Sequence, residues 1–155
     1  MDANATDLDA RSIVTTRLID APRDLVFAAL SDPEHLAHWW GPDGFSITTH
    51  SFAFRADGLW HFTMHGPDGR DYDNRITYEE IAPPGRIVYA HGSADGDEFD
   101  FRSTITLETV GERTRLTMRA VFPSADARDY VAREFHAVEG AQQTIRRLAE
   151  YVATL

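Results

Sequence analysis

With 155 residues the chain is long enough for one ordinary domain with its own core, and nothing in its length calls for a second. Its 25 acidic residues outnumber its 15 basic ones, giving a formal charge of −10, and the basic residues are scattered among acids, which argues against a nucleic-acid face and against docking on anionic lipid. There is no cysteine and no lysine, so disulfides, thiolate metal sites, thiol nucleophiles, lysine Schiff bases and a Walker lysine are all excluded.

Residues 1–10 are polar and acidic and lack the basic and apolar regions of a secretory signal; the reading is a disordered lead-in to a single domain over 11–155, located in the cytoplasm. No apolar run approaches the roughly 20 residues that span a bilayer, so no membrane insertion is expected. Residues 12–19 alternate and are β-branched, as a first strand should be. Asp20-Ala21-Pro22 opens a short helix carrying Leu25, Val26, Ala29 and Leu30, and Ser31-Asp32-Pro33-Glu34 starts a second that ends at Trp39-Trp40-Gly41-Pro42. Six alternating stretches follow, at 45–54, 58–65, 70–81, 86–91, 98–109 and 114–122, separated by Gly, Pro and Asp turns. That spacing suits an antiparallel meander. Ser124 then caps the longest periodic segment, 125–153, expected as one long helix with Tyr130, Val131, Phe135, Val138, Ala141, Ile145, Leu148 and Val152 on its apolar face.

Strand alternation assigns the faces. Trp60, Phe62 and Met64 share one side; Tyr72, Asn74, Ile76 and Tyr78 follow; then Phe99, Phe101 and Ser103, and finally Met118, all facing the helix. The opposite face is charged. The helix brings the small residues Ala137, Gly140 and Ala141 against this aromatic wall, an arrangement that leaves room for an apolar pocket with a few polar groups. Its expected walls are Trp60, Phe62, Met64, Tyr72, Tyr78, Phe99, Phe101, Met118, Phe135 and Val138, with Asn74, Ser103 and the tyrosines orienting the ligand. Trp39 or Trp40 would form its lip.

The run Thr16-Arg17-Leu18-Ile19-Asp20-Ala21-Pro22, then Val26-Phe27, Asp32-Pro33-Glu34-His35-Leu36 and Trp39-Trp40-Gly41-Pro42, resembles the START-like SRPBCC superfamily. The branch it resembles is named after the C-terminal domain of the activator of the ninety-kilodalton heat-shock-protein ATPase. Gly58, Trp60, Phe62 and Met64, Pro67-Asp68-Gly69, Tyr78-Glu79-Glu80-Ile81, Arg86-Ile87-Val88 and Thr114-Arg115-Leu116-Thr117 extend the likeness over nearly the whole chain after residue 11. The resemblance implies an α+β helix-grip fold of the START or Bet v type: a curved antiparallel sheet of six to seven strands, two short helices and one long C-terminal helix over an apolar cavity. It implies a pocket more than a reaction, because the superfamily spans carriers, receptors and cyclases. The segment Phe52-Ala53-Phe54-Arg55-Ala56-Asp57-Gly58 departs from the usual acid, arginine and paired glycines.

His35 with His38, and His61 with His65, are spaced like ligand pairs but lack an evident third ligand, so no metal and no cofactor are expected. Asp95, Asp97, Glu98 and Asp100 read as a solvated hairpin tip. The one catalytic candidate is Glu134, a carboxylate near the apolar helix face that could serve as acid or base with Tyr72 or Tyr78 as donor; its bland alternative is a surface pair with Arg133. The first functional expectation is binding of a small hydrophobic or aromatic molecule in a carrier, sequestering or sensing role. The alternatives are a cyclase, aromatase or hydrolase in the same cavity, and a co-chaperone-like module that contacts a protein partner. Unpaired edge strands also allow a homodimer.

Overall fold

Strand β1 (Ser12–Ile19) leads into α1 (Arg23–Ser31) and α2 (Pro33–Trp39) in a computed structural model that describes residues 8–92 and 100–155. Six strands follow: β2 (Ser46–Phe52), β3 (Leu59–His65), β4 (Asp71–Ala82), β5 (Arg86–Gly92), β6 (Phe101–Val110) and β7 (Arg113–Val121). Two helices, α3 (Ala125–Glu134) and α4 (Ala137–Val152), close the chain. All neighbouring strands are antiparallel in the order β1-β7-β6-β5-β4-β3-β2, so the meander from β2 to β7 is completed by β1 returning to the far edge. The sheet, with its helices on one face, is the expected helix-grip α+β architecture.

Alternation holds where it matters. Trp60 and Phe62, Ile76 and Tyr78, Ile87 and Tyr89, Ser103, Ile105 and Leu107, and Leu116 are all buried on the helix side. The other face carries ion pairs such as Arg102 with Glu79 and Arg86 with Glu80. The register shifts between Thr49 and Ser51 in β2 and between Tyr78 and Glu80 in β4, and such bulges sharpen the local bend of a sheet. Gly58, just before β3, is a steric requirement: a Cβ there would lie 2.0 Å from the Ala53 carbonyl oxygen.

Local capping explains the helix starts. The Asp32 side chain accepts from the Glu34 amide with Pro33 in the first turn of α2, and Ser124 accepts from the Ala127 amide at 3.0 Å to start α3. Helix α1 begins after Pro22 without a side-chain cap.

One expectation is corrected. The C-terminal helix is not continuous from residue 125 to 153. It breaks at Phe135 and His136, the latter at φ +52 and ψ 44, so that α3 and α4 are separate rods. In an unbroken helix Phe135 would sit four residues after the buried Val131 on the same face; the break instead turns it outward, 64% exposed. Residues 8–10, assigned by the sequence to the lead-in, form a helical turn in which the Leu8 carbonyl accepts from the Ser12 hydroxyl and Asp9 pairs with Arg119. Phe99 and the acidic positions 95, 97 and 98 lie outside the described residues.

Candidate ligand cavity

The apolar interior is divided. A large cluster under α1, α2 and α4 contains Trp39, Trp60, Phe62, Ile76, Tyr78, Leu116, Ile145 and Leu148 among others; a small one under α3 contains Ile13, Phe122, Ala127 and Val131. Between them lies a cavity of about 190 Å³. Its walls come from β1 (Ile13, Thr15), the loop after α2 (Trp40, Gly41, Pro42), Met64, Tyr89, His91, Phe101, β7 (Met118, Ala120) with Phe122, and α4 (Ala137, Ala141, Thr144).

Each wall has a local cause. Trp40 stands against Trp60 and Phe62, with ring centroids 5.0 and 6.3 Å away, and Trp60 is itself stacked on Phe62 at 4.1 Å. The sheet aromatics thus hold the indole in place rather than lining the void. Gly41 takes φ +103, which a side chain rarely adopts, and a Cβ there would also press on the Met64 methyl at 3.0 Å. Arg147 of α4 fastens this loop by donating to the Gly41 and Pro42 carbonyls at 2.7 and 3.0 Å, while Gln143 accepts from the Asp43 amide and Arg146 pairs with Asp43. Ala137 and Ala141 supply the small surfaces across from the wall.

The polar groups are few. His91 Nε2 bonds Asn74 Oδ1 at 2.8 Å, and the Asn74 amide nitrogen donates to the Tyr72 carbonyl at 3.1 Å. The residue is half-buried, yet its ring is so densely surrounded that burial lowers its pKa from 6.5 to about 4. It is therefore neutral at pH 7. Burial pushes the Tyr89 phenol up to about 12, and the adjacent Ser103 hydroxyl moderates that rise although it meets no partner at good hydrogen-bonding geometry. Thr144 donates its hydroxyl hydrogen to the Gly140 carbonyl at 2.8 Å. No carboxylate, lysine or arginine stands among the described residues that line the cavity.

Of the residues expected at the site, Trp40, Met64, Phe101 and Met118 line the cavity. Asn74 acts through His91, and Ser103 lies behind Tyr89. Trp39, Trp60, Phe62 and Tyr78 belong to the large core instead; the Trp39 indole donates to the Ala29 carbonyl at 3.0 Å. Tyr72 is 37% exposed beyond the core's end, near Phe45. Val138 packs against the small cluster without reaching the void, and Phe135 stands outside against Tyr130. Glu134 is exposed and paired with Arg133 at 3.0 Å, which removes it as an acid or base for anything in the cavity. Sequence reasoning missed His91 and Tyr89, although the alternation of Ile87, Tyr89 and His91 points all three inward.

The histidine pairs have other partners. His61 and His65 bond Asp73 and Asp71 on the outer face, His35 bonds the Tyr151 hydroxyl, and His38 stacks on that same ring. Among the described residues no three His, Asp or Glu side chains are grouped to hold a metal ion, and no helix is long and apolar enough to cross a membrane. A larger and more open groove of about 790 Å³, lined by Arg75 and Arg102 as well as Leu59, Val121 and Pro123, shares His91, Phe101 and Phe122 with the cavity. The cavity is the better enclosed of the two and its lining is the more apolar, which makes it the better ligand site.

Comparison with known proteins agrees with this architecture. The chain matches a solved structure of a protein from Arthrobacter aurescens at 27% identity, covering 96% of this chain and 90% of that one with a TM-score of 0.87. It matches one from Rhodobacter sphaeroides at 27% identity, 94% of each chain and a TM-score of 0.82. CalU16 from Micromonospora echinospora shares the fold at 18% identity, 92% and 76% coverage and a TM-score of 0.62. No curated protein matches. Residues 20–153 fit the model described as Activator of Hsp90 ATPase homolog 1-like protein, a span from the end of β1 through α4, and the chain thus belongs to that family, within the START-like SRPBCC fold.

Proposed function

We propose that the protein binds a small hydrophobic or aromatic molecule in the cavity between its two clusters, as a carrier, a sequestering protein or a sensor. The observation that carries this reading is the void itself. Protein interiors pack to the density of organic crystals, with few gaps larger than a water molecule. Here about 190 Å³ is left open by small residues on the helix and kept open by a loop that Arg147 ties down. A void of roughly 150 Å³ lined by aliphatic and aromatic groups takes up benzene, whereas drug-sized ligands need about 300 Å³ or more. The cavity in this shape therefore suits one ring. Among the described residues no carboxylate lines the cavity to act as acid or base, which favours binding over the cyclase and hydrolase alternatives.

Calorimetric titration with toluene tests the reading. The protein should bind one equivalent with a dissociation constant of about 0.1–1 mM, as expected for seven heavy atoms in an apolar pocket. Ala141→Phe places a ring into the same space from α4 and should abolish the signal. Unchanged toluene affinity in a folded Ala141→Phe protein, or no binding to the parent, would overturn it.

A further inference from the structure

From the hydrogen bonding of His91 we infer that the cavity selects a neutral one-ring ligand bearing a hydroxyl or N–H, a phenol being the simplest example, which donates to His91 Nδ1. The inference rests on the binding role proposed above and adds the chemical class. It follows from a chain of fixed hydrogen bonds. The Asn74 side-chain nitrogen donates to the Tyr72 carbonyl, and this turns the amide oxygen toward His91 Nε2. An amide oxygen only accepts, so Nε2 carries the proton. A neutral imidazole has just one ring proton to place, and burial keeps this ring neutral at pH 7. Nδ1 is consequently a bare lone pair, and no hydrogen bond to it is formed by any of the described residues.

Three further observations bear on the class. The Thr144 hydroxyl hydrogen is committed to the Gly140 carbonyl, so at the cavity this side chain also offers only lone pairs. An anionic ligand would meet no cation on the described walls and would face these lone pairs, while an ammonium would meet no carboxylate. Tyr89, held protonated by burial, adds a hydroxyl on the same strand two residues from His91. A ligand hydroxyl satisfies such a surrounding; a bare hydrocarbon leaves Nδ1 unpaired, and a carboxylate is repelled.

The experiment compares p-cresol, toluene and p-toluate on the whole protein at pH 7 by calorimetry. The expected result is p-cresol binding about tenfold more tightly than toluene, in keeping with one well-formed buried hydrogen bond, and p-toluate not binding. His91→Phe should erase the preference for p-cresol over toluene. Nitrogen NMR of the unmodified protein provides a reading that needs no variant: the His91 Nδ1 resonance should move upfield with p-cresol and stay in place with toluene. Equal affinity for p-cresol and toluene, or tightest binding of p-toluate, would overturn the inference and leave the cavity reading standing. Failure of all three to bind would remove both.

Discussion

The two apolar clusters are unequal partners around one cavity. The large one interlocks Trp39, Trp60, Phe62, Leu36, Leu116, Ile145 and Leu148 with essentially no accessible surface, and both short helices and α4 close over it. The small one has four buried residues, none as fully enclosed, and is completed by half-buried neighbours such as Phe101, Ala120 and Val138. Helix α3, which covers it, is separated from α4 by the left-handed turn at His136. Stability is thus concentrated on one side of the cavity, and the wall on the other side can open at a lower free energy than the whole domain. Opening on that side would widen the way into the cavity.

The largest expected effect comes from breaking the strong side. Leu148 is fully buried where α4 meets the sheet. Leu148→Ala should cost about 2–5 kcal/mol in urea unfolding, since the lost transfer energy is compounded by a hole that rigid neighbours cannot fill. A loss under about 1 kcal/mol would mean that the large cluster relaxes as freely as the small one, and the asymmetry would have no energetic basis.

An intermediate effect is expected at the boundary between the two clusters, where His91 sits. Its folded pKa of about 4 lies below the ordinary 6.5, so between those values the unfolded chain takes up a proton that the folded chain refuses. Stability from this residue is full above pH 6.5 and declines as pH falls, by at most about 1.4 kcal/mol per pH unit, reaching a total on the order of 3 kcal/mol near pH 4. Unfolding free energies measured from pH 7 to pH 4 should fall less steeply in His91→Gln than in the parent. Parallel curves would show that the ring gains access to water at low pH, with the small cluster already open.

Much of this organisation was legible in the sequence, for a physical reason that also marks the limit. Period-two alternation between Gly, Asp and Pro turns is a local signal, and it located every strand to within a few residues and put Trp60, Phe62, Tyr78 and Leu116 on the covered face. The small residues Ala137 and Ala141 opposite large aromatics signalled room, and both line the cavity. Alternation cannot say how far along a strand the core extends, however, and so it sent Tyr72 inward when β4 runs past the core, and it spread the expected walls over the whole sheet instead of one end of it. The break after Glu134 carries no proline or glycine; His136 takes positive φ, which histidine tolerates better than most side chains without announcing it, and an uninterrupted apolar period from Val131 to Val152 hides the turn. That turn is what exposes Phe135 and Glu134. His91 has no histidine partner at ligand spacing to mark it, because its chemistry depends on Asn74 from the neighbouring strand.

The smallest effect is the most discriminating. Ser124 caps α3 by accepting from the Ala127 amide, and Ser124→Ala should cost about 1 kcal/mol. Amide exchange along Ala127–Glu134 should accelerate about fivefold, as 1 kcal/mol implies, and global unfolding, which includes α3, should lose the same amount. If α3 and the small cluster open separately from the large one, Leu148→Ala should accelerate exchange along Ile145–Val152 and leave Ala127–Glu134 where it was, because α4 stays folded when α3 alone opens. Acceleration of both helices by Leu148→Ala would mean that α3 and α4 unfold as one body in spite of the turn at His136. The inequality of the two clusters would in that case have no dynamic consequence for access to the cavity.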